Sequence, residues 1–254
     1  CKIIESFWKP NIEARTNGQL KLEITSFPEL GIAGPDTLRL VQDGTLSMAE
    51  IYTGYVAGDL PEIEIQSLWG LAPDQKSMYL ALSSMHPEVE KMVTDATGAV
   101  VVGHMWVPGV DNYLWSQKPL KTLADFKGQK TRSHSSAMTD WIEGMGATAQ
   151  FVAFSEVYAA LERGILDAGV SGAGPAYGLR WFEVTKYING PMPAELSVNI
   201  VVNKKEWDKL PADLQQILIE EGARTELEGL RLMSIQDTVE FERNVLAGLK
   251  FVEF

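Results

Sequence analysis

From Ala212 to Leu249 the chain contains no proline, and Leu214, Ile217, Leu218, Leu227, Leu230, Met233, Ile235, Val239, Val245 and Leu246 recur near helical spacing. This pattern predicts one or two long helices, up to about 57 Å if unbroken at 1.5 Å per residue. Such a helix exceeds one lobe of ordinary size. In a chain of 254 residues it is expected to brace two.

The rest of the chain alternates between two periodicities. Leu20-Lys21-Leu22-Glu23-Ile24-Thr25 alternates strictly, as a half-buried strand does. Met48–Tyr52, Ala99–Trp106, Tyr113–Trp115, Gln129–Arg132, Ala149–Val152, Leu166–Val170 and Ser197–Asn203 read as further strands. Between them, Asp74–Met85, Pro87–Asp95, Ser136–Met145 and Ser155–Gly164 read as helices, the last capped by Ser155 and stopped by glycine. This rhythm predicts α/β layers with a largely parallel sheet.

Composition excludes several functions. The net charge of −12 leaves no electrostatic footprint for nucleic acid or for an anionic membrane surface. The single cysteine, Cys1, rules out a disulfide framework and a Cys-rich zinc site. No apolar run reaches the roughly 20 residues of a spanning helix. No signal peptide is present as given, so the chain is either cytoplasmic or stripped of an export signal; a lipidated Cys1 is a third, less favoured reading.

Catalytic constellations are absent. His86, His104 and His134 show no metal-ligand spacing, and His104 on an apolar strand reads as a hydrogen-bonded core residue. Gly169, Gly172, Gly174 and Gly178 follow a strand but match no phosphate-binding fingerprint, and Ser171 sits in no nucleophile elbow. The informative stretch is Phe126–Ser133. A tight turn at Gly128 feeds a strand ending in Arg132. Arginine grips carboxylates bidentately, and α/β sheets place ligands at the carboxyl ends of strands.

Several segments together resemble one family. Glu13–Glu23, Val41–Ala49, Ser116–Leu120 with Leu123–Arg132, Phe154–Leu161 followed by Gly164 and Asp167, Glu183–Tyr187, and Trp207–Pro211 with Leu214-Gln215 are similar to successive motifs of the DctP-type solute-binding proteins. These serve tripartite ATP-independent periplasmic (TRAP) transporters. The resemblance covers nearly the whole chain.

It implies an α/β, two-lobed periplasmic-binding-protein fold of the Venus flytrap kind. The expected division is residues 1–108 for lobe I, 109–197 for lobe II, 198–210 for a return strand, and 211–254 for the bracing helix. It implies a periplasmic receptor without enzymatic activity or cofactor, expected to be monomeric. The receptor would capture a small organic acid and pass it to TRAP membrane subunits. A ligand-sensing module for a signalling partner is the alternative.

Arg132 occupies the position of the family's carboxylate-binding arginine, with Ser133 beside it. Asp111 and Ser171 stand where many members carry a basic residue and an asparagine. Asp111 would accept from a ligand hydroxyl or ammonium, or pair with a neighbour such as Arg180. Losing the cation argues against a doubly anchored dicarboxylate. Tyr52, Trp69, Trp106 and Trp181 fall near strand ends or loops bordering the family's cleft, as do Tyr55 and Trp115. A monocarboxylate with an apolar or aromatic body is therefore expected. The family's first strand would precede Lys2, so a trimmed chain start is expected as well.

Overall fold

The computed structural model describes residues 3–68, 75–107, 112–192 and 196–253. Nine strands are present among them: β1 (Met48–Tyr52), β2 (Val100–Val107), β3 (Asn112–Ser116), β4 (Lys130–Ser133), β5 (Thr148–Phe151), β6 (Ala168–Ser171), β7 (Tyr187–Met192), β8 (Leu196–Val202) and β9 (Lys250–Glu253). The chain divides into two compact units. One comprises Cys1–Gln66, Tyr79–Val107 and Leu196–Arg231; the other comprises Ser67–Met78, Pro108–Glu195 and Leu232–Phe254.

In the first unit a three-stranded sheet has the order β1-β8-β2, antiparallel throughout. One face buries Ile51, Val101 and Val201 against Leu38, Val41, Val89 and Val93. Val89 and Val93 are four apart, so both lie on one side of the helix His86–Thr97. That helix opens on Pro87, a ring already set for a first turn, and ends at Gly98, whose φ of 71° closes the last turn in left-handed geometry.

In the second unit a six-stranded sheet has the order β5-β4-β6-β3-β7-β9. Strand β4 runs parallel to β5 and β6, β3 is antiparallel to β6 and β7, and β9 is parallel to β7. Both faces are covered. Trp115 faces a core with Val157, Leu161, Trp181 and Ile188. Its neighbour Leu114 faces Phe126, Met138, Ile142 and Val170 on the other side, as the two-residue period of a strand requires. Buried Asn189 ties this sheet to its loops: Oδ1 accepts from the Leu120 amide at 2.8 Å, and Nδ2 donates to Leu114 O at 2.7 Å and Ser116 Oγ at 2.8 Å.

The tail forms one helix, Ala212–Leu246, about 52 Å long at 1.5 Å per residue. It belongs to the first unit as far as Arg231 and to the second from Leu232. In the first unit, fully buried Glu221 pairs with Arg15 and Arg224, each at 2.6–2.7 Å. Gly222 meets β2 backbone to backbone: a Cβ there would sit 1.9 Å from Val102 O. In the second unit Asn244 Nδ2 donates to Ala173 O at 3.1 Å. Among the described residues no helix is long and apolar enough to cross a membrane.

Three expectations are corrected. The sheets are antiparallel and mixed, with parallel pairing confined to β5-β4-β6 and β7-β9. Leu20–Thr25 alternates in burial but joins no strand among the described residues. Its backbone is engaged by the first helix instead, Leu22 N donating to Glu13 Oε1 and Leu22 O accepting from Lys9 Nζ. Ser155 does not cap the helix Val157–Glu162; it lies in a preceding 3-10 turn, Phe154–Glu156, with no side-chain cap.

Candidate functional site

Strands β5, β4 and β6 end at one edge of the second unit's sheet. Arg132 lies near the end of the middle one. Its neighbours' backbones hold it on both sides: Nε donates to Val152 O beyond β5 at 3.1 Å, and Nη1 donates to Val170 O on β6 at 3.1 Å. The Phe154 ring lies under the guanidinium, 5.5 Å from Cζ, within cation–π range. Arg132 is 3% exposed. Two carbonyls and one ring therefore fix the plane of a buried planar cation. A guanidinium with a fixed plane has lost little freedom still to be lost when it meets a carboxylate.

The surrounding loop is built to hold that edge. Ser133 is fully buried, its hydroxyl bonding to Ser135 O at 2.9 Å and to the Thr139 hydroxyl at 2.7 Å. Ser135 caps the helix Ser136–Gly144, accepting from Met138 N at 3.2 Å. The positive end of that helix thus follows directly on the strand that carries Arg132. His134, between the two serines, is buried. Burial, and then the positive charge of Arg132, hold its imidazole well below the usual histidine range, so it is neutral at pH 7.

Ser171 closes β6 at the same edge and is nearly buried, its carbonyl accepting from Trp115 Nε1 at 3.0 Å. Arg132, Ser133 and Ser171 are thus gathered at one sheet edge. Trp181 departs from the expectation. It has no exposed surface, packs edge-on to Trp115 and tilted against Phe154, and stands behind the ring that supports Arg132. Trp115 is equally enclosed. Both rings build the core that positions the arginine.

Tyr52 lies in the first unit, at the end of β1, edge-on to Tyr55 at 4.9 Å. Trp106 lies on β2 opposite Ser197, its side chain outside the described residues. Trp69 and Asp111 also lie outside the described residues. Arg180, the partner considered for Asp111, is ion-paired with Glu183. Phe154 and His134 are the residues that sequence reasoning missed. Phe154 stood inside a quoted motif without an assigned role, and nothing in the local sequence marked His134 as buried.

The model of bacterial extracellular solute-binding protein, family 7 (DctP), matches residues 3–250. This chain belongs to that family. Among its relatives, the 2,3-diketo-L-gulonate-binding periplasmic protein YiaO of Escherichia coli (strain K12) is 28% identical over 210 residues, covering 82% of this chain. The match spans 63% of that relative's own length.

Solved structures agree in fold. DctP7 of Bordetella pertussis, an extracytoplasmic solute receptor binding pyroglutamic acid, superposes with a TM-score of 0.92 at 22% identity, covering 99% of this chain and 82% of that one. A TRAP periplasmic solute-binding protein of Rhodoferax ferrireducens, with bound malonate, gives 0.88 at 25% identity, covering 99% and 79%. The fold is that of a TRAP periplasmic solute-binding protein.

Proposed function

We propose that the protein is the extracytoplasmic receptor of a TRAP transporter. It captures a small organic acid and delivers it, unchanged, to the membrane subunits. The observation that carries this reading is Arg132, a buried guanidinium held flat by Val152 O and Val170 O at the carboxyl edge of a sheet in a chain that matches family 7 over residues 3–250. The ligands named for related structures support the class: pyroglutamate, galacturonate, glucuronate and malonate are all organic acids.

Within that class we favour a monocarboxylate. Arg132 is the anchor, with Ser171 beside it. Asp111 stands where many family members bring a second cation, which leaves one carboxylate to be gripped. The apolar body expected of the ligand rests on fewer rings than the aromatic count suggested, because Trp115 and Trp181 are enclosed in the core. Tyr52, Trp69 and Trp106 remain the proposed aromatic contacts.

Mass spectrometry of ligand released on denaturation, followed by calorimetry with that acid, pyroglutamate, glucuronate and malonate, tests the proposal. A monocarboxylate is expected to bind in a one-to-one ratio. Binding by malonate and other dicarboxylates alone would overturn the monocarboxylate reading. Chemical turnover of the bound acid would overturn the receptor.

A further inference from the structure

The second unit's sheet has two ends. Arg132 lies where β5, β4 and β6 finish; the other end is where they begin. Five segments meet there, residues 116–130, 144–148, 162–168, 184–187 and 246–250. Backbone bonds knit them across the sheet. Thr148 N donates to Gln129 O and Asp167 N to Lys130 O, both at 2.8 Å; Lys186 N donates to Ser116 O at 2.9 Å, and Lys250 N to Lys186 O at 3.0 Å. Strand β3 runs against its neighbours and so delivers the stretch after Ser116 to this same end.

These segments are basic. Lys118 and Lys121 follow β3, Lys127 and Lys130 lead into β4, Arg163 precedes β6, Lys186 precedes β7, and Lys250 opens β9; all seven are exposed. Among the described residues none of the seven is ion-paired, whereas most other cations are, Arg15, Lys91, Lys204 and Arg243 among them. The same segments carry three acids, Asp125, Glu162 and Asp167. Two of these are engaged by backbone amides: Asp125 accepts from Lys121 N and Thr122 N, and Asp167 from Lys130 N. Adding Glu143, on the last turn of the helix Ser136–Gly144, still leaves seven cations against four acids. In a chain of net charge −12 this end is positive, since net charge describes the chain and not each of its faces. Large apolar side chains stand among the lysines: Leu246 is 86% exposed, Leu123 69% and Ile165 50%.

We propose that this end of the second unit is a docking surface for the anionic headgroups of a phospholipid bilayer. The kind of cation favours lipid over an acidic protein. Six of the seven are lysines, strongly hydrated point charges on flexible stems, without the planar fork that picks out single carboxylates. A layer of phosphates asks for many such charges and for no fixed geometry between them. Leu123, Ile165 and Leu246 suit the same surface, because apolar side chains flanked by lysines settle at the boundary between headgroups and acyl chains.

The placement has a use for the proposed receptor. Lys130 opens β4 and Arg132 lies near its close. The second unit, resting on lipid by its lysines, therefore turns the Arg132 edge away from the lipid and toward dissolved acid. Attraction between exposed charges is largely screened beyond a Debye length, about 8 Å at physiological salt. The contact is thus reversible and salt-dependent. It concentrates the receptor beside membrane subunits without fixing it there. Only this use rests on the receptor reading; binding to the bilayer needs no ligand, so failure of either leaves the other standing.

Flotation of the whole chain with lipid vesicles tests the proposal, using phosphatidylcholine alone and phosphatidylcholine mixed with phosphatidylglycerol. The protein is expected to float with the mixed vesicles at low salt, to be released as salt is added, and to ignore phosphatidylcholine alone. Lys127→Gln combined with Lys186→Gln should lower partitioning about 25-fold, at about fivefold for each lysine. Lys21→Gln combined with Lys205→Gln changes the net charge equally through exposed lysines of the first unit, and should leave partitioning within about twofold. Equal loss in the two double variants would reduce the effect to net charge and overturn the proposal. Binding to both kinds of vesicle alike, or to neither, would overturn it as well. Capture by polyglutamate in preference to the mixed vesicles would assign the surface to an acidic protein instead. All four substituted side chains are exposed, and a melting transition matching the wild type's checks that each variant is folded.

Discussion

Arg132 is held before any ligand arrives, and that is what a single side chain contributes here. A charge-assisted bond to a carboxylate is worth about 1.5–3 kcal/mol, so Arg132→Ala should weaken acid binding roughly 10- to 150-fold in calorimetry while the melting transition survives. Arg132→Lys keeps the charge but loses the fork and the two carbonyl bonds, and should still cost about tenfold or more. Binding unchanged in both variants would remove Arg132 from the site. Asn189 shows the same economy in the core, three bonds from one amide. Asn189→Ala strands the Leu120 amide and should cost about 2–3 kcal/mol in urea unfolding; a loss below about 0.5 kcal/mol would show those bonds to be dispensable. Arg132 was legible in sequence because a Gly128 turn and a short strand announce where it ends. Its supports were not, since Val152 and Val170 act through carbonyls that every residue possesses, and Phe154 through tertiary placement alone.

Among elements, the long helix was the most legible, because ten apolar residues and the absence of proline say the same thing over 38 positions. What its sequence does not disclose is where it touches. Gly222 and Gly229 have equal helix propensity, yet a Cβ at Gly222 would lie 1.9 Å from Val102 O and 2.9 Å from Gly103 Cα, whereas one at Gly229 would rest at an ordinary 3.5 Å from Ile3 Cδ1. Gly222→Ala should therefore destabilise by about 1–3 kcal/mol, and Gly229→Ala should be neutral or stabilising by up to about 1 kcal/mol. Equal melting temperatures for the two would show that the helix-to-β2 crossing yields freely. Leu20–Thr25 teaches the opposite lesson. Its alternation truly reports burial, but a strand also needs a neighbour's backbone, and periodicity carries no information about that. Strands β7 and β9 escaped notice for related reasons: β7 contains Gly190 and Pro191, and β9 is four residues following a helix stop at Gly248.

For the molecule as a whole, acid should act through the histidines that the fold holds neutral, His134 and His86, of which His86 gives the clearer test. Its folded-state midpoint of about 4 lies below the ordinary 6.5, so the unfolded chain binds more protons between those values. Stability is full above pH 6.5 and falls as pH drops toward 4, by up to about 3 kcal/mol from this one group. Urea midpoints across that range should fall more steeply in the wild type than in His86→Gln; parallel curves would show His86 to be titrating normally. The order of the small sheet has another consequence. Strand β8 is the centre of β1-β8-β2, yet it is the last of the three to leave the ribosome. Until residue 202 is made, β1 and β2 have no ladder to join, and neither unit is a contiguous stretch of chain. A nascent polypeptide of this sequence therefore cannot complete the sheet of its first unit until about four-fifths of the chain has been made.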